Sequence, residues 1–300
     1  MKQIAAVVVT YNRKILLKEC IDALLKQTKK DLLDILIIDN DSTDGTREYI
    51  DDYIVRGQIQ YINTGANLGG AGGFNFGIRY AAEKKYQYVW VMDDDCIALK
   101  NTLEEFVIAK ESLGEKIGFL SSKVLWKDRK ICTMNVQRKT MFTKVRDFDS
   151  KLSKITLASF VSLFIPMKIV EEVGLPIKEF FIWTDDWEYT RRISKMYPCY
   201  LVNNSIVVHK STSNIGANIS NDSIDRLNRY YYLYRNDVYL YKREGIKGFF
   251  YECLRLMLHL SRVIFAGKNH KIMRLKYIFR GTYDGFKFNP EIEYVGENKK

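Results

Sequence analysis

Proline and repetitive sequence are scarce in this chain. Only 4 of its 300 residues are proline and 18 are glycine, and no internal repeat is visible. Collagen-like and disordered chains are much richer in these residues, so both classes are excluded. A chain that is 47% hydrophobic and 28% charged is expected to form one substantial core, or one core plus a smaller appended unit.

Closely spaced cysteines and long apolar runs are also missing. The five cysteines are odd in number and far apart, which favours a reducing compartment over a disulfide framework. The apolar run Ile4–Val9 is too short for the core of a signal peptide, and no window reaches the roughly 18 apolar residues of a membrane span. These absences predict a cytoplasmic protein that can still sit on the inner face of a membrane.

Positive charge is abundant and unevenly distributed. The net charge is +11, and the stretch from Arg226 to Arg280 contains 13 Lys and Arg residues against three acids. Such a balance indicates a polyanionic partner, but no nucleic-acid-binding motif accompanies it, so nucleic acid is not expected. Apolar residues between Phe249 and Ile264 recur with helical spacing. This region is predicted to be an amphipathic helical cap, a surface for anionic lipid, or a contact between copies of the chain.

Strand and helix signals alternate over the first hundred residues. The apolar runs Ile4–Val9, Leu33–Ile38, Gln58–Ile62 and Tyr88–Met92 are separated by segments with helical spacing. This order predicts an α/β fold with a mostly parallel sheet and helices on both faces. Ligands bind beyond the carboxyl ends of such strands, where polar residues follow in this chain. The candidate ligand-binding residues at these positions, called donor-binding residues below, are Thr10, Tyr11, Asn12, Arg13, Asp39, Asn67, Gly69, Gly70, Asp93 and Asp94.

Three consecutive acids, Asp93-Asp94-Asp95, directly follow the fourth buried strand. Carboxylates in such a place are costly unless a cation neutralises them. Their oxygens suit Mg²⁺ or Mn²⁺, which in turn bind phosphate oxygens. The alternative is a solvated acidic turn.

The segment from Asn67 to Gly73 is rich in glycine and is predicted to be a ligand-facing loop before a helix, although a simple flexible turn is the alternative. It differs in position and spacing from the dinucleotide-binding fingerprint, which argues against a nicotinamide oxidoreductase. Asp39 ends the second strand, where its carboxylate is expected to bind the ribose or base of a nucleotide, with a turn or capping role as the alternative.

A second acidic pair, Asp185-Asp186, lies between two tryptophans, Trp183 and Trp187. Adjacent carboxylates against aromatic surface acquire separated pKa values, which suits a general base. The alternative is a helix N-terminus whose dipole the acids complement. His209 ends a later strand and is a candidate metal ligand, although a lone histidine is more often structural.

Taken together, these motifs resemble the inverting glycosyltransferases of family 2, which have the GT-A fold. The resemblance covers roughly residues 3–215, and its motifs occur in the family's order. The glycine-rich stretch, the triple acid and the acidic pair are most similar to those of bacterial galactofuranosyltransferases, which use UDP-galactofuranose. Rhamnosyltransferases that use dTDP-rhamnose share much of the pattern. One departure is Thr184, which separates Trp183 from the acids.

The resemblance implies a role for each motif. Asp93 and Asp95, with His209, would hold Mn²⁺ or Mg²⁺, and Asp186 beside Asp185 would be the catalytic base. Acceptor-binding residues would be Trp183, Trp187 and Glu188. The implied reaction moves a sugar from a nucleotide donor to a glycan or a lipid-linked saccharide.

The predicted organisation is a catalytic domain over residues 1–215 and a basic helical region over residues 216–300. A catalytically silent nucleotide-sugar-binding protein is the remaining alternative, although an intact set of acids favours an enzyme.

Overall fold

The structure is a computed structural model that describes residues 3–267 and 269–296. One sheet contains nine strands: β1 (Ile4–Thr10), β2 (Leu33–Asp39), β3 (Gln60–Asn63), β4 (Tyr88–Asp93), β5 (Cys96–Ala98), β6 (Leu120–Trp126), β7 (Leu152–Ile155), β8 (Leu163–Pro166) and β9 (Cys199–His209). The α-helices of these residues are α1 (Lys14–Leu25), α2 (Thr46–Tyr49), α3 (Asp51–Val55), α4 (Gly69–Glu83), α5 (Thr102–Leu113), α6 (Met167–Val173), α7 (Asp185–Ser194), α8 (Arg229–Lys242), α9 (Gly245–Ser261) and α10 (Lys271–Lys287).

The sheet is mixed, with the strand order β3-β2-β1-β4-β8-β6-β9-β5, and β7 pairs with β9. The first four strands of the chain are parallel, as their alternation with helices predicts. β8 then joins antiparallel to both β4 and β6, while β6 and β9 are parallel. The predicted α/β class is confirmed, with the correction that antiparallel pairs complete the second half of the sheet.

Alternate residues of β1 explain why helices cover both faces. Ala5, Val7 and Val9 belong to a core that includes α4. Ala6 and Val8 point the other way, into a core that includes α1 and α5. Since both faces are buried, the strand has the continuous apolar sequence typical of parallel sheets.

The prediction that residues 67–73 form a glycine-rich loop is wrong. Gly69 to Gly73 already form the first turns of α4, and only Asn67 and Leu68 precede the helix. The reason is steric, because a β-carbon at Gly77 would lie 2.5 Å from Val7 Cγ1, and one at Gly73 would lie 2.6 Å from Val9 Cγ1. Glycine at these two positions therefore allows α4 to lie directly on β1.

The region after β9 packs on the rest of the protein. Gly281 and Gly285 of α10 approach α8 closely enough that a β-carbon at either position would clash with it. The tail returns to the α/β part, where the Glu293 carboxylate pairs with Arg79 at 2.8 Å and with Lys178 at 2.5 Å. Within the described residues, no helix has the length and apolar character needed to cross a membrane. The predicted division at residues 215–216 stays a prediction.

Substitution of Gly77 tests the close contact between α4 and β1. Gly77→Ala is expected to lower the free energy of unfolding by about 1–3 kcal/mol, because its β-carbon overpacks Val7 and Ile38. Gly70→Ala in the same helix meets no atom within 4 Å, so it should be neutral or stabilise by up to about 1 kcal/mol. Urea denaturation measures both values, and equal effects would refute the packing role.

Candidate active site

The three consecutive acids and His209 are brought together by strand pairing. β4 ends at Asp93, β5 begins at Cys96, and β5 pairs antiparallel with β9 so that Cys96 lies opposite His209. One ligand atom from each of Asp93, Asp95 and His209 lies within 4.8 Å of the other two. The three residues predicted as metal ligands therefore form one cluster, although the histidine is more than a hundred positions from the acids in sequence.

The donor set of this cluster fits a hard divalent cation. His209 Nε2 lies 3.0 Å from Asp95 Oδ1. This short contact pairs the imidazole with the carboxylate and lowers the pKa of Asp95. The other ring nitrogen, Nδ1, lies 2.8 Å from Asn135 Oδ1, which fixes the orientation of the imidazole. The carboxylate oxygens and the oriented imidazole nitrogen are ligand types that such a cation accepts.

The middle acid, Asp94, is bound from the other side. Its carboxylate accepts a hydrogen bond from Thr10 Oγ1 at 2.8 Å and lies 3.3 Å from Arg13 Nη1. The same guanidinium nitrogen lies 2.9 Å from Asp95 Oδ2. Thr10 and Arg13, both predicted to bind the donor, therefore act in this structure as supports for the acids.

Burial raises the proton affinity of the acids. Desolvation, together with the charge of Asp95, raises the pKa of Asp93 to about 6, and desolvation raises that of Asp94 to about 7 although Arg13 opposes it. Burial would also raise the pKa of Asp95, but His209 and Arg13 lower it overall. The pKa of His209 would fall on burial, but Asp95 and Cys132 raise it to about 10. The negative charges of the three acids are therefore only partly balanced by the positive charges of Arg13 and His209.

The loops after β1 and β2 are tied to each other. Asn12 has a φ of 53° and accepts a hydrogen bond from the backbone of Thr43 at 2.7 Å. Asp39 is fully buried, and its carboxylate accepts hydrogen bonds from Ser42 Oγ and Tyr61 Oη, both at 2.6 Å. The structure thus gives Asp39 a role in shaping the loop after β2. Tyr11, in the loop after β1, is 42% exposed.

The beginning of α4 contains three further candidate donor-binding residues. Asn67 Oδ1 accepts a hydrogen bond from the backbone of Gly69 at 2.9 Å. Gly69 has a φ of 71°, and a β-carbon there would lie 2.2 Å from the carbonyl oxygen of Phe181. Gly69 therefore faces the segment before the acidic pair, whereas a β-carbon at Gly70 would meet no atom within 4 Å, so that position is open.

The acidic pair begins α7, where the positive end of the helix dipole favours negative charge. Even so, burial raises the pKa of Asp185 to about 7. Burial and the charge of Asp185 raise that of Asp186 well above its ordinary value. The charge of Asp93 adds to both shifts, so the acidic pair lies near the triple acid.

The three residues predicted to bind the acceptor have unequal surroundings. Trp187 stacks under the guanidinium of Arg138, which lies 4.4 Å from the ring centroid. Trp183 packs edge to face on Tyr230 at 5.1 Å. Glu188 is 6% exposed and forms paired hydrogen bonds to Arg192 at 3.0 and 2.9 Å, so its carboxylate is already engaged in the fold.

The segment just before the acidic pair has a strained backbone. Phe181, Trp183 and Thr184 have φ values of 63°, 64° and 68°, although none is glycine. The backbone of Ile182 donates to the carbonyl of Phe180 at 2.7 Å, which makes a γ-turn of the rare, strained kind. Each such residue costs on the order of 1–3 kcal/mol and persists only where its surroundings hold it.

α8 provides that support. The side-chain amide of the buried Asn236 donates to the carbonyls of Phe180, Ile182 and Trp183 at 3.0, 3.2 and 2.9 Å. Asp237 accepts a hydrogen bond from Thr184 Oγ1 at 2.6 Å.

A buried charge network continues from Asp237 into α9. Arg255 Nη1 lies 2.8 Å from Asp237, and its Nε lies 2.7 Å from Glu252. The helical region after β9 therefore fixes the approach to Asp185, although the sequence suggested no site residue there. Asn135, Asn236 and Arg255 carry no local motif, and their roles arise only from contacts between distant segments.

Comparison with known proteins agrees with this geometry. Residues 5–122 match the family described as Glycosyl transferase family 2. The chain is 25% identical over 264 residues to the galactofuranosyltransferase GlfT1 of Mycolicibacterium smegmatis, a match that covers 81% of this chain and 84% of that relative.

Solved structures share the fold. The fragment 1-349 of TarS from S. aureus, in complex with UDP-GlcNAc, superposes with a TM-score of 0.55 at 14% identity, covering 96% of this chain and 73% of that fragment. The mannosyltransferase PcManGT of Pyrobaculum calidifontis, in complex with GDP-Man and Mn²⁺, gives a TM-score of 0.54 at 15% identity, covering 95% and 73%. The GT-A fold expected from the motifs is confirmed.

Asn236 tests the support of the strained segment. Asn236→Ala is expected to lower the free energy of unfolding by about 2 kcal/mol, because three carbonyls lose their donor. Asn236→Asp should be more damaging, since it places oxygens against those carbonyls. The exposed Asn289→Asp is the control and should change stability by less than about 0.5 kcal/mol. Urea denaturation curves that coincide for all these proteins would contradict the proposed support.

Proposed function

We propose that this chain, whose residues 5–122 match glycosyl transferase family 2, transfers galactofuranose from UDP-galactofuranose to a saccharide, with inversion at the anomeric carbon. The proposal is carried by the cluster of Asp93, Asp95 and His209, and by the buried pair Asp185-Asp186, which is near enough for the charge of Asp93 to act on it. The relatedness to a galactofuranosyltransferase over most of both chains supports the choice of sugar.

Asp93, Asp95 and His209 would hold Mn²⁺ or Mg²⁺, with ligand atoms of the types these ions accept. The bound ion would supply neutralising charge for the diphosphate of the donor. Arg13 stays half-exposed beside the acids, and its charge is felt by Arg229 of α8. Positive charge beside the acids favours an anionic ligand, as a nucleoside diphosphate provides.

Asp186 is the proposed general base. Its carboxylate takes the proton from the acceptor hydroxyl while that oxygen forms a bond to the anomeric carbon. The bond from the same carbon to the diphosphate oxygen breaks, and UDP leaves with the electron pair. Burial raises the pKa of Asp186, and the charge of Asp185 raises it further, which strengthens Asp186 as a base.

The proposed acceptor is a glycan or a lipid-linked saccharide that is bound at the inner face of the cell membrane. Trp183 and Trp187 flank the acidic pair and offer apolar ring surface beside the base. Because one face of Trp187 is covered by Arg138, the sugar would contact the other face or the ring edge.

Release of nucleoside diphosphate from a panel of donors tests the proposed reaction. UDP-galactofuranose is expected to turn over slowly with Mn²⁺ or Mg²⁺ and to stop with EDTA, because the acids need the cation to bind diphosphate. UDP-galactopyranose, UDP-glucose and dTDP-rhamnose are the comparison donors. Preference for dTDP-rhamnose would make the chain a rhamnosyltransferase, and no metal-dependent binding of any donor would refute the proposal.

Asp186→Asn is expected to lower turnover at least about 100-fold, because the amide cannot accept the acceptor proton. Donor binding, measured by calorimetry with Mn²⁺, should remain. Asp149→Asn, which changes an exposed acid, is the matched control. In the wild type, kcat should rise with pH on the acid side, since burial and Asp185 raise the pKa of the base. Near-normal turnover of a folded Asp186→Asn would contradict the assignment.

A further inference from the structure

Large apolar side chains are concentrated on the outside of the last helices. Of the 23 that are exposed in the described part of the chain, 13 lie between Ile246 and Phe286. Scattered exposed apolar residues are ordinary, but a contiguous patch marks a binding surface. The proposed sugar transfer assigns nothing to this surface.

The exposed residues of α9 form a single stripe with helical period, which continues through the π-helical turn Arg262–Ala266. They are Ile246, Phe249, Phe250, Leu254, Met257, Leu258, Ile264 and Phe265. The opposite side of α9 faces the protein, where Gly248 lies against Tyr241 and Glu252 pairs with Arg255. The apolar stripe therefore points outward, because the inner side of α9 makes the contacts with the rest of the protein.

α10 has the same arrangement. Its inner side packs on α8 through Ile278, Gly281 and Gly285. The outer side carries exposed large apolar residues: Ile272, Met273, Phe279, Tyr283 and Phe286. Both helices thus present apolar side chains away from the catalytic crevice. We call these residues of α10, together with the stripe of α9, the outer face.

Cations accompany the outer face. The exposed charged residues of this region are Lys247, Arg262, Lys271, Lys276, Arg280 and Lys287. Among residues 245–267 and 269–287, the acids are the buried Glu252, which pairs with Arg255, and the half-buried Asp284, which accepts a hydrogen bond from Tyr231. The exposed surface is therefore apolar and positive at once.

A cleft of about 740 Å³ opens at the start of α10. Lys271, Lys276 and Arg280 line it together with Ile272, Met273 and Tyr277. Positive side chains next to apolar ones match an amphiphile with an anionic headgroup, whose phosphate would contact the cations while its acyl chains lie along the apolar residues.

We propose that the outer face docks on a lipid bilayer that contains anionic phospholipid. A second copy of the chain fits this surface less well, because a symmetric dimer would place the same cations opposite each other. An anionic bilayer accepts both features, since its interior receives the apolar side chains and its headgroups pair with Lys and Arg. Docking at this face goes beyond the proposed transferase reaction and does not depend on it.

Co-sedimentation of the full chain with vesicles tests the docking. The protein is expected to pellet with phosphatidylcholine vesicles that contain phosphatidylglycerol, to do so less at high salt, and to stay in solution with phosphatidylcholine alone. One triple variant removes apolar contacts, and a second reverses charge. The apolar triple variant combines Phe250→Ser, Leu254→Ser and Phe265→Ser. The charge-reversal triple variant combines Lys271→Glu, Lys276→Glu and Arg280→Glu.

Both triple variants are expected to lower the partition coefficient between vesicles and solution at least about tenfold. Buried apolar side chains and cations near the surface each contribute to the binding of such a face. Matched controls change equally exposed residues elsewhere: Val55→Ser, Ile108→Ser, Met196→Ser for the apolar set and Lys84→Glu, Lys100→Glu, Lys116→Glu for the charged set. The controls should partition like the wild type. Circular dichroism confirms that every variant is folded.

Two results would overturn the proposal. One is the absence of binding to anionic vesicles at low salt. The other is a wild type that light scattering shows to be a dimer, that dissociates in the apolar variant and that does not bind vesicles, since the outer face would then join two copies. The assay contains no sugar donor, and Asp186→Asn should bind vesicles normally, so failure of the transferase proposal leaves this test unaffected.

Discussion

The repulsion among buried carboxylates is the constraint on which the rest of the site depends. Asp93, Asp94 and Asp95 end one strand inside the protein, and Asp185 and Asp186 begin a helix that faces the same crevice. All of them except Asp95, whose pKa His209 and Arg13 lower, are expensive to ionise there, since burial removes water from their carboxylates. The neighbouring cations Arg13 and His209 act mainly on the triple acid, so the remaining negative charge favours an added cation, and the pKa values of the pair are raised. The proposed base and the proposed metal site would both follow from this one electrostatic situation.

Such a situation requires rigid surroundings, because carboxylates that could move apart would relieve their repulsion. Strand pairing holds the triple acid against His209, and Asn135 fixes the orientation of the imidazole ring. The acidic pair has no strand to fix it and follows a strained turn. Asn236 and Asp237 of α8 supply the missing restraint through hydrogen bonds to that turn. The fold thus compensates locally unfavourable backbone and charge with contacts from a distant helix.

The difference between what the sequence predicts and what it hides follows from the range of these contacts. The triple acid could be recognised because its cause is local, three acids after an apolar strand. The glycines in the first turns of α4 suggested a loop, because composition does not reveal that Gly73 serves contact with β1. The hydrogen bond from Tyr61 to Asp39 was hidden for the same reason, since Tyr61 lies on another strand, and nucleotide binding by Asp39 stays a prediction. Asn236 gave no signal at all, because one amide that satisfies three carbonyls is visible only in three dimensions.

α8 also connects the turn before Asp185 with the helices that carry the outer face. One side of it holds the turn before Asp185, and other sides pack against α9 and α10, whose apolar residues point outward. The buried ion pair of Arg255 with Asp237 joins α9 to α8, and Glu252 on α9 holds the same guanidinium. A bilayer that receives the outer face as proposed would therefore lie at a fixed distance and angle from the catalytic base. A saccharide carried on a lipid would then reach the crevice by its own extension from the membrane rather than by movement of the enzyme.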